Sequence, residues 1–137
     1  GWQRVCKVVF HTIYVRYGSG LLKWRTFLAL SPARMTSIDN ASIHPQANVY
    51  FDGKCVSHSI TLADGTKKSV GVVLPATLTF NTGAPEIMEC VAGSCEYRLA
   101  GSDAWLHAGP GDQFSVPGNS SFDIRVGEAF HYVCHFG

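Results

Sequence analysis

Residues 49–136 are expected to fold as an all-β sandwich or small barrel with little helix, on three observations. Turn-forming residues recur at intervals of about ten, the spacing of short antiparallel strands joined by tight turns. Between them apolar and polar side chains alternate, most strictly in Ser121-Phe122-Asp123-Ile124-Arg125-Val126 and in Phe114-Ser115-Val116, so each strand buries one face. No window of about twelve residues in this stretch carries a convincing 3.6-residue period.

The expected strands are 49–51, 55–62, 69–74, 76–81, 86–92, 95–100, 113–116, 121–126 and 130–136. The first is closed by Asp52-Gly53 and the second by Asp64-Gly65. Asn81-Thr82-Gly83 ends the fourth, Ala92-Gly93 the fifth, and Ala100-Gly101-Ser102-Asp103 the sixth. Gly109-Pro110-Gly111 precedes the seventh, Pro117-Gly118-Asn119 follows it, and Gly127-Glu128 leads into the last. Such residues supply positive φ or a preset φ where the chain reverses.

The chain has 137 residues, 46% apolar and 15% charged, which suits one globular domain with a real core and rules out collagen, coiled coil and full disorder. Its formal net charge of +1 hides an asymmetry. Residues 1–34 hold six basic groups and no acidic one, whereas residues 35–137 hold five basic against ten acidic. The chain is therefore read as a basic N-terminal extension, 1–34, of uncertain structure, followed by a domain, 35–137. The extension begins with Gly1 and is expected to be upstream or non-native sequence, or an organelle leader, with an ordered N-terminal arm as the plain alternative. Its longest apolar stretch falls short of the ~20 residues that span a bilayer, so no membrane segment is expected.

Cys6, Cys55, Cys90, Cys95 and Cys134 are odd in number and form no C-x-x-C pair. They read as reduced core residues of a cytoplasmic protein rather than a disulfide framework or zinc ribbon. The acidic domain is a poor nucleic-acid surface, and phosphate loop, dinucleotide fingerprint, nucleophile elbow and H-E-x-x-H are all absent.

Two spacings are informative. Glu86 is followed after six residues by Gly93, and Gly111 after five by Pro117. In this order they resemble the two motifs of the cupin family, G-x5-H-x-H-x3-E-x6-G and G-x5-P-x-G-x2-H-x3-N, which implies a single jelly-roll barrel with a metal held inside. Here Phe80 and Thr82 stand at the H-x-H pair and Phe122 at the last histidine, so only Glu86 of the ligand set remains. One carboxylate, one hydroxyl and two phenyl rings do not hold zinc, iron or manganese. The expected interior is instead metal-free, with aromatic faces around one acid, suited to a flat ring and a hydroxylated group.

Further blocks narrow the resemblance: Tyr50-Phe51-Asp52-Gly53-Lys54, Val70-Gly71-Val72-Val73, Thr79-Phe80-Asn81-Thr82, Pro85-Glu86-Ile87-Met88, Val116-Pro117-Gly118-Asn119-Ser120-Ser121-Phe122 and Tyr132-Val133-Cys134. Together they resemble the pyrimidine/purine nucleoside phosphorylase family over nearly all of residues 45–137. The resemblance implies phosphorolysis of a broad range of nucleosides to free base and pentose 1-phosphate, with nucleoside and phosphate as substrates and no cofactor. Ile87 departs from it, standing where a second acid is common.

That chemistry needs a clamp on the sugar hydroxyls, donors for phosphate and a surface for the base. Glu86 is the candidate clamp: its carboxylate can accept from the 2′- and 3′-hydroxyls and favours a cationic sugar. Thr82 reads equally as a sugar or phosphate ligand and as turn chemistry. Phe80, Phe122, Phe114 and Tyr132 are candidates for the base, since stacking tolerates any base, with core packing as the alternative and the stronger reading for Phe114. Met88 is a pocket wall or a core filler. For phosphate, Lys54 comes first and Lys68 second. A homodimer is expected, because small cupins pair through their sheets. The alternative readings are a non-enzymatic cupin that binds a small ring or sugar, and a metal-dependent dioxygenase or isomerase that the missing histidines disfavour.

Overall fold

The computed structural model describes residues 37–137 in full, together with the backbone of residues 10–12 and 26–28. The chain divides into two compact units, Gly1–Ala33 and Arg34–Gly137. In the first, β1 (Phe10–Thr12) and β2 (Thr26–Leu28) pair antiparallel, Phe10 opposite Leu28. The other expectations for residues 1–34 lie outside the described residues.

The second unit is all-β, with the short 3-10 turn Phe51–Gly53 as its one helical segment among the described residues. Its strands are β3 (Ala41–Ile43), β4 (Asn48–Tyr50), β5 (Cys55–Leu62), β6 (Lys67–Val73), β7 (Ala76–Asn81), β8 (Glu86–Ala92), β9 (Cys95–Leu99), β10 (Leu106–Ala108), β11 (Gln113–Val116), β12 (Ser121–Val126) and β13 (Phe130–Phe136). The nine strands expected from alternation are all present. β3 and β10 are additional: each has three residues and no readable period, and each forms because the neighbouring β5 or β9 offers an open edge to pair with.

All pairing is antiparallel. The small sheet runs β10-β9-β12-β7, and the large sheet runs β11-β8-β13-β6-β5-β3, with β4 also on β5. From β7 onward the chain crosses repeatedly between the two sheets, which is the jelly-roll path of the cupin pattern. Among the described residues no ladder joins the sheets, so the barrel expected from the motifs is an open, two-sheet sandwich.

Alternation along the strands sets the core. Phe130, Ile124, Val73 and Val116 are fully buried between the sheets, and Cys55, Cys90, Cys95 and Cys134 are buried there as free thiols, filling space as small hydrophobes. The turns obey local chemistry. Gly65, at φ +86°, closes the β5–β6 hairpin, where the Asp64 carboxylate accepts from the Thr66 N–H at 2.9 Å. Among the described residues no helix is long and apolar enough to cross a membrane.

Candidate functional site

A cavity of about 160 Å³ opens between the two sheets. Its polar wall belongs to the large sheet: Ser57 on β5, Ser69 on β6, Glu86 and Met88 on β8, Tyr132 and Cys134 on β13. Its apolar wall belongs to the small sheet: Phe80 on β7 and Phe122 and Ile124 on β12, with Asn81 beside them. Tyr50 and Phe136, both more than two-fifths exposed, also line it.

Register explains the polar wall. Ser57, Gly71 and Tyr132 lie opposite one another across β5, β6 and β13, as do Ser59, Ser69, Cys134 and Met88 in the next row. Gly71 leaves the room that the Tyr132 hydroxyl occupies. A Cβ on Gly71 would stand 2.8 Å from the Tyr132 Oη and 2.7 Å from the Val56 carbonyl oxygen. The hydroxyl lies 3.5 Å from the Cys55 Sγ.

Burial raises the Glu86 carboxyl above the usual glutamate value, opposed by a hydrogen bond from the Cys134 thiol. Burial, with the neighbouring Glu86 charge, pushes the Cys134 thiol up to about 12, so it remains a proton donor. Tyr132 is raised beyond the ordinary tyrosine value, chiefly by burial, with the Ser57 hydrogen bond opposing. The cavity thus offers one carboxylate among neutral hydroxyl and thiol groups.

Of the residues singled out from the sequence, Phe80, Glu86, Met88, Phe122 and Tyr132 meet around this cavity. The other four stand elsewhere. Thr82 is buried at the end of β7, where its Oγ1 donates to the Pro117 carbonyl at 2.6 Å and accepts from the Ser120 N–H at 3.0 Å. It pins the β7–β8 loop to the β11–β12 loop, which is the turn-chemistry reading. Phe114 belongs to the core, stacked on Tyr97 at 3.8 Å between centroids. Lys54 is exposed beyond the 3-10 turn. Lys68 is half-buried and bonds the His135 Nδ1, while the His135 Nε2 bonds the Glu89 carboxylate at 2.8 Å. Strand alternation places Lys68 and His135 on the face opposite Ser69 and Cys134. Arg98 and Arg125 pair with Asp123 and Glu96 and lie over the Trp105 ring. No lysine or arginine among the described residues lines the cavity.

Tyr50, Ser57, Ser69, Asn81, Cys134 and Phe136 line the cavity without having been singled out. Ser57 follows Cys55 at the two-residue period of an inward face, which was its one signal. A buried serine and a solvated one look alike in a strand until the opposing sheet is known.

A cupin implies a metal, and the donor set tests it. Phe80, Thr82 and Phe122 stand where imidazoles would be needed, and among the described residues no group of three His, Cys, Asp or Glu side chains is placed to hold a metal ion. The residues present do not fit one.

Proteins named pyrimidine/purine nucleoside phosphorylase are similar to the chain, one from Albidiferax ferrireducens at 72% identity over 102 residues, covering 74% of this chain and 97% of that protein. Another, from Paracidovorax citrulli, is 75% identical over 100 residues and covers 73% of this chain and 95% of that protein. A crystal structure of a protein of unknown function from Acinetobacter sp. ADP1 superposes with a TM-score of 0.72 at 43% identity, covering 74% of this chain and 98% of that one. Ectoine synthase from P. lautus, at 19% identity and a TM-score of 0.53 over 61% of this chain and 64% of that one, shares the fold alone. Residues 45–136 match the family profile described as pyrimidine/purine nucleoside phosphorylase, and the chain belongs to that family.

Proposed function

We propose that the chain is a pentosyltransferase, a nucleoside phosphorylase of broad specificity that cleaves purine and pyrimidine nucleosides with inorganic phosphate and without a metal or other cofactor. The observation that carries this reading is Glu86, a half-buried carboxylate at the junction of a hydroxyl-bearing wall and an aromatic one. A phosphate oxygen forms a bond to the anomeric carbon, the carbon–nitrogen bond breaks, and its electron pair leaves with the base, which takes up a proton. The transition state has oxocarbenium character, and a carboxylate in a low-dielectric site stabilises it more than it would in water. Glu86 accepts hydrogen bonds from the sugar hydroxyls, holding the ring where its charge acts. Phosphate, in this reading, takes hydrogen bonds from the neutral hydroxyls of Ser57 and Ser69, since Lys54 and Lys68 stand away from the cavity.

The test is incubation with uridine or adenosine plus phosphate in the presence of EDTA, with chromatography for free base and pentose 1-phosphate. Phosphate-dependent release of base is expected, and Glu86→Ala is expected to lower kcat/KM by roughly 10²- to 10³-fold. No release from several nucleosides refutes the reading; calorimetric binding without turnover would favour a non-enzymatic ring- or sugar-binding module instead. The reading includes a homodimer, supported by Ile43, Val70 and Ile87 exposed on the outer face of the large sheet. It also includes a cytoplasmic setting, supported by four buried free thiols.

A further inference from the structure

The aromatic side chains of the site are not equally available to a ligand. Phe122 is 2% exposed and already stacks on Phe80, with centroids 5.5 Å apart and planes 19° apart. A base cannot enter between two rings in van der Waals contact without separating the sheet strands that carry them. Phe80 is in turn met by Phe51 at 5.2 Å and 84° and by Tyr50 at 6.5 Å and 75°, both edge-to-face. Tyr50 and Phe136 differ from these: both line the cavity with 47% and 44% exposed, and of the two it is Tyr50 that stands edge-on to Phe80.

The backbone just after Tyr50 is unusual. Phe51, Asp52 and Gly53 follow one another at φ +51°, +53° and +91°. Two of these carry side chains, and a bulky residue such as Phe in the left-handed region is strained. Strain of this kind persists where the surroundings hold it, and it concentrates at binding sites. Here the turn follows directly on Tyr50, a lining residue of the cavity, and the Tyr50 and Phe51 rings both meet Phe80 edge-on.

The cavity is also too small for a whole nucleoside with phosphate. At about 160 Å³ it falls below the roughly 300–1,000 Å³ of sites that enclose drug-sized ligands. Its hydroxyls and carboxylate lie inside, on the large sheet.

We propose that the pentose and phosphate occupy the cavity while the nucleobase lies at its mouth, stacked on the Tyr50 ring that the strained 51–53 turn holds in place. This rests on the phosphorylase reading and gives it a physical basis for breadth. A base held by one face at a solvated rim is not measured for size, so purines and pyrimidines fit alike. The departing base also meets water there and takes its proton from solvent, so the cavity needs no second acid.

Calorimetric titration of the full chain with uridine, adenosine and ribose 1-phosphate separates the two halves of the site. Tyr50→Leu, which keeps bulk but loses the flat ring, is expected to weaken both nucleosides about 5-fold or more and to leave ribose 1-phosphate unchanged. Tyr50→Phe is expected to bind all three as the unaltered chain does. Unchanged nucleoside affinity in Tyr50→Leu overturns the proposal, and so does equal weakening of all three ligands. An unaltered chain that binds nucleosides without releasing base overturns catalysis, and the same titrations still decide the base platform. An unaltered chain that binds neither nucleoside overturns both.

Discussion

Burying a carboxylate costs free energy that a solvated one does not incur, and Glu86 carries that cost for its position in the cavity. Its folded-state pKa lies above the unfolded value of about 4.5, so the fold binds the proton more tightly than the unfolded chain does. Stability associated with this group is present at low pH and is lost as pH rises from about 4.5 through the raised folded value. Glu86→Gln, which keeps the shape and removes the charge, is therefore expected to leave the Tm at neutral pH unchanged or higher, while activity falls. Thermal melts at pH 4 to 8 beside phosphorolysis assays check this. A Tm lowered at neutral pH would show that the ionised form contributes to stability, contrary to the burial argument. Glu86 was visible in the sequence because it alone remains of a known ligand pattern. Its raised pKa was not, because that depends on burial by side chains remote in sequence, such as Phe136 opposite it on β13.

Strands and turns give the site its shape. β6 passes between β5 and β13, and Gly71 on it stands between Ser57 and Tyr132. Gly71→Ala would bring a Cβ to 2.7 Å from the Val56 carbonyl oxygen and 2.8 Å from the Ser57 Cβ, so that the backbone of the neighbouring strand has to shift. The expected loss of stability is about 1–3 kcal/mol, the usual cost of overpacking. The tyrosine hydroxyl is also displaced from the polar wall, so KM for the nucleoside rises. Urea melts and steady-state kinetics read the two effects; wild-type stability and KM in Gly71→Ala would mean that the strand has slack the register does not show. At Gly93, φ +71° and the nearby Ala129 carbonyl oppose a side chain in the same way, at the β8–β9 reversal. Thr82 shows how a residue in a ligand register can be taken by the fold. Its hydroxyl is occupied by two backbone partners, and it holds the loop that leads into Glu86.

The larger division lies between a basic leading segment and an acidic domain. Every described residue around the cavity falls between Tyr50 and Phe136, within the stretch matched by the family. A chain of residues 35–137 is accordingly expected to fold on its own and to keep the phosphorolytic kcat/KM within about twofold, since this stretch supplies the described core and cavity lining. Loss of either the cooperative melt or the activity on removing residues 1–34 would contradict this. The domain's excess of acid over base means that phosphate is not attracted by the overall field and has to be met by local donors.

Strand positions and the inward or outward sense of each side chain follow from short-range alternation and turn residues, which is why Ser121–Val126 and Phe114–Val116 were readable directly. The loss of a metal-binding set was equally local, visible in Phe80, Thr82 and Phe122 at fixed distances from Glu86. What lies opposite an inward side chain is a matter of register and sheet packing, which no short window contains. Packing stacked Phe122 on Phe80 and left Tyr50 open. Register gathered Ser57, Ser69 and Cys134 around Glu86, and set Lys68 against His135 on the other face. The alternation could say which faces meet, and only the packed sheets could say which atoms do.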